Sequence, residues 1–330
     1  MQDIEFSTVS GTYKTTTFDE NAFAKTGKFS SLIKGFRVED GKTVIIKKIK
    51  NTNLVGDDGS LKLIREILIN LHTLHPDITE TYDMIRTDQG IFIIREFIEG
   101  CDLKAIIHDK KKEYYRTPDF TAKVGIKTCE ILKAIHNQQI IHRDIKPANI
   151  LIEYKHGSSE PDYYNPTVRL IDFELAQLRG MNIFSMDRVP VAMGYSAPEQ
   201  LLRFQNLICP SSDLFALAIT LYEFLSGKTA FHHANPELLM TLQLNHPLIK
   251  HVRIPHELFA IMHKATQKQL FQLPPNRYST EEKEYILSKG LENRFQKADE
   301  LKAALEGFLD HYDALPPAKN FIGKFRAFFR

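Results

Sequence analysis

One stretch of this 330-residue chain gathers side chains able to do chemistry. It reads His142-Arg143-Asp144-Ile145-Lys146-Pro147-Ala148-Asn149, then the apolar run Ile150-Leu151-Ile152 and, after a polar excursion, Leu170-Ile171-Asp172-Phe173. Two carboxylates, an ammonium and an amide are the groups needed to move a phosphoryl group onto a hydroxyl. Asp144 can take a proton, Lys146 can neutralise phosphoryl charge, and Asn149 with Asp172 offers the hard oxygen ligands that a divalent cation prefers.

The order and types of these residues resemble the catalytic loop of the eukaryotic-type protein kinase family. An eight-residue signature followed by Asp-Phe is far more specific than a lone glycine motif. The resemblance implies ATP as donor, Asp144 as the base that orients the acceptor hydroxyl, Lys146 as the charge that neutralises the transferred phosphoryl, and Mg²⁺ or Mn²⁺ held by Asn149 and Asp172. Lys146, two residues after Asp144, favours serine or threonine over tyrosine as acceptor. The implied fold class is α+β: a two-lobed kinase-like fold with a small β-rich N-lobe at about 25–96 and a large, mainly helical C-lobe at about 97–312. Residues 1–24 read as a polar, threonine-rich extension with room for one strand, and 313–330 as a basic amphipathic tail.

Those lobes must position the chemical groups. In the N-lobe, Phe29 to Phe36 and Thr43 to Ile49 are strand-like runs flanking Glu39-Asp40-Gly41-Lys42, a hairpin signal. In the alignment the glycine-rich loop falls on Lys25 to Leu32, where Gly27 alone survives of three expected glycines. Fewer glycines means a looser approach of backbone amides to phosphate. Lys47 matches the lysine that pairs the α,β-phosphates, fifteen residues after Leu32. Glu66, on a helical pattern over Leu61 to Leu74 that ends at His75-Pro76, matches its glutamate partner. The nucleotide would meet Gly27, Leu32, Ile45, Lys47, Glu96, Phe97, Ile98 and Leu151, with Ile45 pressing on the adenine slot where alanine is usual. Arg95, just before the hinge, must find an acidic partner when buried, Glu66 or Glu174 being the candidates.

In the C-lobe, Phe120 to His136 carries helical periodicity. Asn149 and Asp172 lie twenty-three residues apart, farther than the resemblance leads one to expect, so Tyr154 to Pro166 reads as an extended hairpin loop. Glu174 replaces the glycine of Asp-Phe-Gly and adds a carboxylate near the cation ligands, which points to altered regulation. Ala192 stands where serine/threonine members carry threonine. Gly194-Tyr195-Ser196-Ala197-Pro198-Glu199 matches the end of the activation segment, with Ser185 as a candidate phosphosite and Asp187 as a fixed charge opposite Arg143. Asp213 is expected to accept backbone hydrogen bonds beneath the catalytic loop. Arg294 is the expected partner of Glu199, with Arg277 as its rival.

A formal charge of +2, 43% hydrophobic and 25% charged residues describe an ordinary globular chain and call for no nucleic-acid partner. Three cysteines suit a reducing compartment, and no long apolar run is present. A soluble, cytoplasmic protein is expected, or an effector delivered into a host cell. The partner is a protein substrate that the sequence does not identify, and the oligomeric state stays open. The tail, Phe321 to Arg330, spaces apolar and basic residues as an amphipathic helix, which packs on the large lobe or touches a membrane surface. The contrasting reading of the whole is a pseudokinase scaffold, supported by the eroded glycine loop, Ile45, Arg95, Glu174 and Ala192.

Overall fold

Alternation in Thr43-Val44-Ile45-Ile46-Lys47-Lys48-Ile49 turns Val44 and Ile46 to one face of a strand and Lys47 and Ile49 to the other, and all four side chains are buried. The structure is a computed structural model that describes residues 5–312 except 9, 16–24, 27–29, 50–63, 65–66, 69, 89, 156 and 179–190. Two units part between Glu99 and Gly100.

The first unit is an antiparallel sheet of β1 (Glu5–Thr8), β2 (Gly11–Thr15), β3 (Lys25–Thr26), β4 (Ser30–Arg37), β5 (Thr43–Ile49), β6 (Thr81–Thr87) and β7 (Gly90–Glu96). Its order is β1-β2-β4-β5-β7-β6, with β3 on β4. The expected hairpin between β4 and β5 is present: Gly41 adopts φ 72°, and Asp40 accepts from Arg37 Nε at 2.9 Å and from the Lys42 amide at 3.1 Å. The amino-terminal segment differs from the expected extension. It supplies two strands, paired with Phe6 opposite Tyr13, and both rings join Val44, Ile46, Tyr82, Phe92 and Ile94 in the core. Gly35 on β4 makes this approach possible, because a Cβ there would lie 2.6 Å from the Lys14 carbonyl oxygen. Of the helical pattern after Leu61, Ile64, Ile67, Leu68 and Asn70 are helical, followed by a 3₁₀ turn at Leu71–Thr73.

The second unit is mainly helical. It holds β8 (Gly100–Asp102), α1 (Leu103–His108), α2 (Pro118–Asn137), β9 (Ile140–Ile141), β10 (Ile150–Glu153), β11 (Thr167–Leu170), β12 (Gln177–Leu178), α3 (Pro198–Leu201), α4 (Pro210–Ser226), α5 (Pro236–Asn245), α6 (His256–Ala265), α7 (Thr280–Glu292) and α8 (Ala298–His311). Thr117 caps α2, its hydroxyl accepting from the Phe120 amide, and Pro118 occupies the first turn, where no amide donor is needed. Gly125 lets α2 sit close to α4 and α8, since a Cβ would meet Leu221 and Leu305 at 2.8 Å. The apolar α4 is buried along nearly its whole length and ends at Gly227 in the left-handed region, φ 73°. Strands β10 and β11 form the expected hairpin, Ile150 opposite Leu170, and β8 adds to the other side of β10.

The loop joining β10 to β11 is built into this unit. Tyr154 bridges to Pro161, Tyr163 Oη donates to Asp119 Oδ1 at 2.8 Å, and Glu160 accepts from Tyr114 Oη at 2.9 Å. Among the described residues no helix is long and apolar enough to cross a membrane.

Candidate functional site

The second unit brings the catalytic-loop residues together. Asp213, at the start of α4, accepts from the amides of His142 and Arg143, both at 2.9 Å, and pairs with His136 Nε2 at 2.8 Å. Burial works to raise the Asp213 carboxyl, but the hydrogen bonds it accepts, that from His136 foremost, outweigh it and hold the group below its ordinary value. These bonds help hold Arg143 at φ 68°, a turn that a non-glycine residue seldom makes unaided. The expected structural role of Asp213 is therefore what the geometry shows.

Downstream of that turn the Asp144 carboxylate is clamped. Lys146 Nζ donates to Asp144 Oδ2 at 2.7 Å, and Asn149 Nδ2 donates to the same oxygen at 2.9 Å and to the Asp144 carbonyl at 2.7 Å. Burial pushes the Asp144 carboxyl above the ordinary carboxylate range; Lys146 opposes the rise and the nearby Asp172 charge adds to it. A raised value makes a better proton acceptor. His142 accepts from the Asp144 amide through Nδ1 at 3.3 Å, so its Nε2 carries the proton toward the Ile171 carbonyl, also at 3.3 Å. Burial holds this ring below its usual value, and it lies tilted against Phe173, the ring centroids 4.5 Å apart.

Asp172 is tied to Asn149 through the backbone, the Ile171 amide donating to the Asn149 carbonyl at 3.0 Å. It stands in the left-handed region at φ 72°. The Asn149 amide nitrogen is committed to Asp144, which turns its oxygen, a hard ligand, to the opposite side. Among the described residues no three His, Cys, Asp or Glu side chains cluster around one point. One carboxylate and one amide oxygen suit Mg²⁺, which is commonly held by one or two carboxylates together with substrate phosphates. Glu174 does not carry the backbone strain that replacing glycine suggests, because the positive angles among described non-glycine residues fall at Gln139, Arg143, Asp172 and Arg203.

In the first unit, Lys47 is 5% exposed on β5 and lies opposite Leu32 of β4 and Ile93 of β7. Ile45 lies opposite Arg95, which is buried on β7. Glu96 ends that strand, and Phe97 carries Lys34 Nζ 4.3 Å from its ring centroid. Ile98 is half-buried, as is Leu151 on β10 of the second unit. Gly27, Glu66, Ser185, Asp187 and the 313–330 tail lie outside the described residues.

Three amides that sequence reasoning passed over join the site to its surroundings. Arg143 Nη1 donates to Gln177 Oε1, whose Nε2 donates to Gln205 at 3.2 Å. Burial pulls the Arg143 guanidinium down to about 10, against Asp213 and with Arg203. Gln200 Nε2 donates to the Arg143 carbonyl at 3.1 Å. Gln243 of α5 accepts from the Gly194 amide at 3.0 Å and donates to the Ser196 carbonyl at 2.5 Å. The position of Gln200, next to Ala197-Pro198-Glu199, was the one available signal. Neutral amides on distant elements leave no spacing to read.

The Ala-Pro-Glu end is fixed by the expected ion pair. Arg294 Nη1 lies 2.9 Å from Glu199 Oε1, both side chains nearly sealed from solvent, and Ser212 Oγ donates to the same oxygen at 2.6 Å. Arg277, the rival, sits instead in a 3₁₀ turn at Pro275–Arg277.

Comparison with known proteins agrees with this geometry. The family described as Protein kinase domain matches residues 25–297. Serine/threonine-protein kinase PknF of Mycobacterium tuberculosis is 31% identical over 211 residues, 62% of this chain and 41% of that protein. Serine/threonine-protein kinase PrkC of Bacillus subtilis is 30% identical over 213 residues, 63% of this chain and 30% of that one. Serine/threonine-protein kinase Nek2 of Mus musculus is 28% identical over 208 residues, 60% of this chain and 44% of its own length. The chain thus spans less than half the length of these relatives.

Proposed function

This chain belongs to the protein kinase domain family, and we propose that it is a serine/threonine protein kinase, transferring the γ-phosphoryl group of ATP to hydroxyls of a protein substrate. The observation that carries the reading is the Asp144 carboxylate, buried and held by Lys146 and Asn149 at 2.7 and 2.9 Å. A scaffold with no reaction to perform has no need of a desolvated carboxylate with this orientation.

In this mechanism Asp144 accepts the hydroxyl proton and aims the oxygen at the phosphorus. Lys146, already beside that carboxylate, balances charge as the proton moves. Lys47 would meet the phosphates, and Asn149 and Asp172 would hold the cation through oxygen. When bound, Mg²⁺ would supply positive charge that neutralises the phosphates. The protein performs no covalent step of its own; positioning and electrostatics account for the rate. His142, buried, sets the backbone on either side through the Asp144 amide and the Ile171 carbonyl.

The test is incorporation of label from γ-labelled ATP with Mg²⁺ into the protein itself and into a generic basic protein. Wild type is expected to label. Asp144→Ala and Asp172→Ala are each expected to lose about 10²-fold or more in rate, the usual scale for a positioned acid or base. Wild type that neither labels nor gains melting temperature with ATP would replace this reading with the binding scaffold.

A further inference from the structure

The segment between α5 and α6, His246-Pro247-Leu248-Ile249-Lys250-His251-Val252-Arg253-Ile254-Pro255, carries no acidic residue. Its two ends are anchored, Leu248 and Ile254 being 5% and 1% exposed. Its backbone is fixed as well. Tyr222 Oη donates to the Ile249 carbonyl at 3.0 Å, and the Ile254 and Arg253 amides fold back on His251, onto its carbonyl at 3.0 Å and its Nδ1 at 3.3 Å. This ordered loop points two aliphatic side chains at water: Ile249 is 73% and Val252 90% exposed. One exposed aliphatic residue is unremarkable on any surface, but two at the tip of a pinned loop form a small apolar edge.

Cations surround that edge. Lys250 and Arg253 are exposed beside it in sequence, and Lys228, just past α4, is exposed too. Lys228, Arg253 and Arg116 all lie close enough to His251 to add to the effect of burial in holding its imidazole below the ordinary value. The surface is positive there even though Glu113 pairs with Arg253 at 2.7 Å. Arg116 is fixed in place, its Nε donating to the Phe224 carbonyl at 2.9 Å near the end of α4.

The geometry points to the loop 246–255 as a contact for an anionic bilayer surface, Ile249 and Val252 entering the headgroup boundary while Lys228 and Lys250 meet lipid phosphates and carboxylates, Arg253 being held by Glu113. Charge complementarity selects this occupant: an apolar edge alone fits many surfaces, but an aliphatic tip ringed by lysine and arginine matches the two layers of an acidic membrane, charged outside and apolar beneath. Because the attraction is between exposed charges, it weakens with salt.

The experiment is flotation of the full-length chain with vesicles of phosphatidylcholine alone and of phosphatidylcholine doped with phosphatidylserine, with soluble polyglutamate as a third probe. Wild type is expected to float with the doped vesicles only, less so at high salt. The double variant Ile249→Ser/Val252→Ser, exposed positions whose change leaves the melting temperature intact, is expected to lose at least about tenfold of that partitioning, as removal of buried apolar area from an interface does. Equal flotation of variant and wild type would place any membrane contact elsewhere, for example in the basic tail, and overturn the proposal. So would binding to neither vesicle, and polyglutamate binding that depends on Ile249 and Val252 without vesicle binding would assign the loop to an acidic polypeptide instead.

Discussion

Lys268 illustrates how far a side chain can be driven from its ordinary chemistry by its surroundings. Its Nζ donates to the Gln243 carbonyl and lies 4.6 Å from the Phe231 ring centroid. Burial, with the Arg294 charge adding to it, pulls the ammonium from 10.5 down to about 7. Between those values the folded protein holds Lys268 neutral while the unfolded chain holds it charged, so the unfolded state binds the extra proton and stability rises with pH. Below about 7 both states are protonated and that stability is gone. The melting temperature of wild type is therefore expected to fall as pH drops from about 9 to about 6, and the profile of Lys268→Met to be flatter over the same window. Parallel profiles would show that Lys268 does not titrate there. Nothing in the sequence marks this lysine, because its state comes from residues on three other segments. The catalytic groups were legible for the opposite reason: His142 to Asn149 are contiguous, so their types and order survive without knowledge of the fold. That Lys146 and Asn149 both turn to the Asp144 carboxylate was not read from the sequence, and neither were the amides of Gln177, Gln200 and Gln243.

Among the elements, local signals read well where the chain decides its own course. The hairpin turn at Asp40-Gly41, the helix under Phe120 to His136 and the long β10–β11 connection follow from turn chemistry and periodicity. What the connection does was not legible, since Tyr163 and Glu160 find Asp119, Tyr114 and Tyr115 only after folding. The choice between Arg294 and Arg277 was open in sequence and is resolved by packing. Removing one partner of a buried ion pair leaves the other charge without compensation, at about 3–5 kcal/mol. Arg294→Met is expected to destabilise the fold on that scale in urea titration, whereas Arg277→Ala should shift the midpoint little. Similar losses for both variants would mean that the pair at Glu199 contributes no more than an average surface arginine.

At the scale of the whole molecule, the amino-terminal residues mark the limit of the sequence reading. The family match begins at residue 25, and the residues before it look polar. Phe6, Tyr13, Phe18 and Phe23 are scattered among them, and aromatic residues spaced that irregularly among threonines do not reveal a strand pair. Yet Tyr13 is fully buried, its hydroxyl donating to the Ser10 carbonyl at 3.3 Å. Truncating a buried aromatic side chain costs about 3–5 kcal/mol. Tyr13→Ala is expected to lower the stability of the sheet unit by that amount, seen as lost amide-exchange protection in β4 and β5. Undiminished protection would return the first fifteen residues to the status of an appendage.

The Glu199–Arg294 pair joins positions 95 apart in sequence, and this orders events during synthesis. A ribosome adding about 5–20 residues per second needs roughly 5–20 s to travel from one to the other. Throughout that interval Glu199 must remain hydrated, because a lone buried carboxylate is too costly, and the apolar cluster of Leu201, Leu244, Phe271 and Leu287 stays open until Leu287 has emerged. The nascent chain therefore presents a sticky, half-built face until its last helices emerge, and a stall before residue 294 leaves that face to whatever chaperone or neighbouring chain reaches it first.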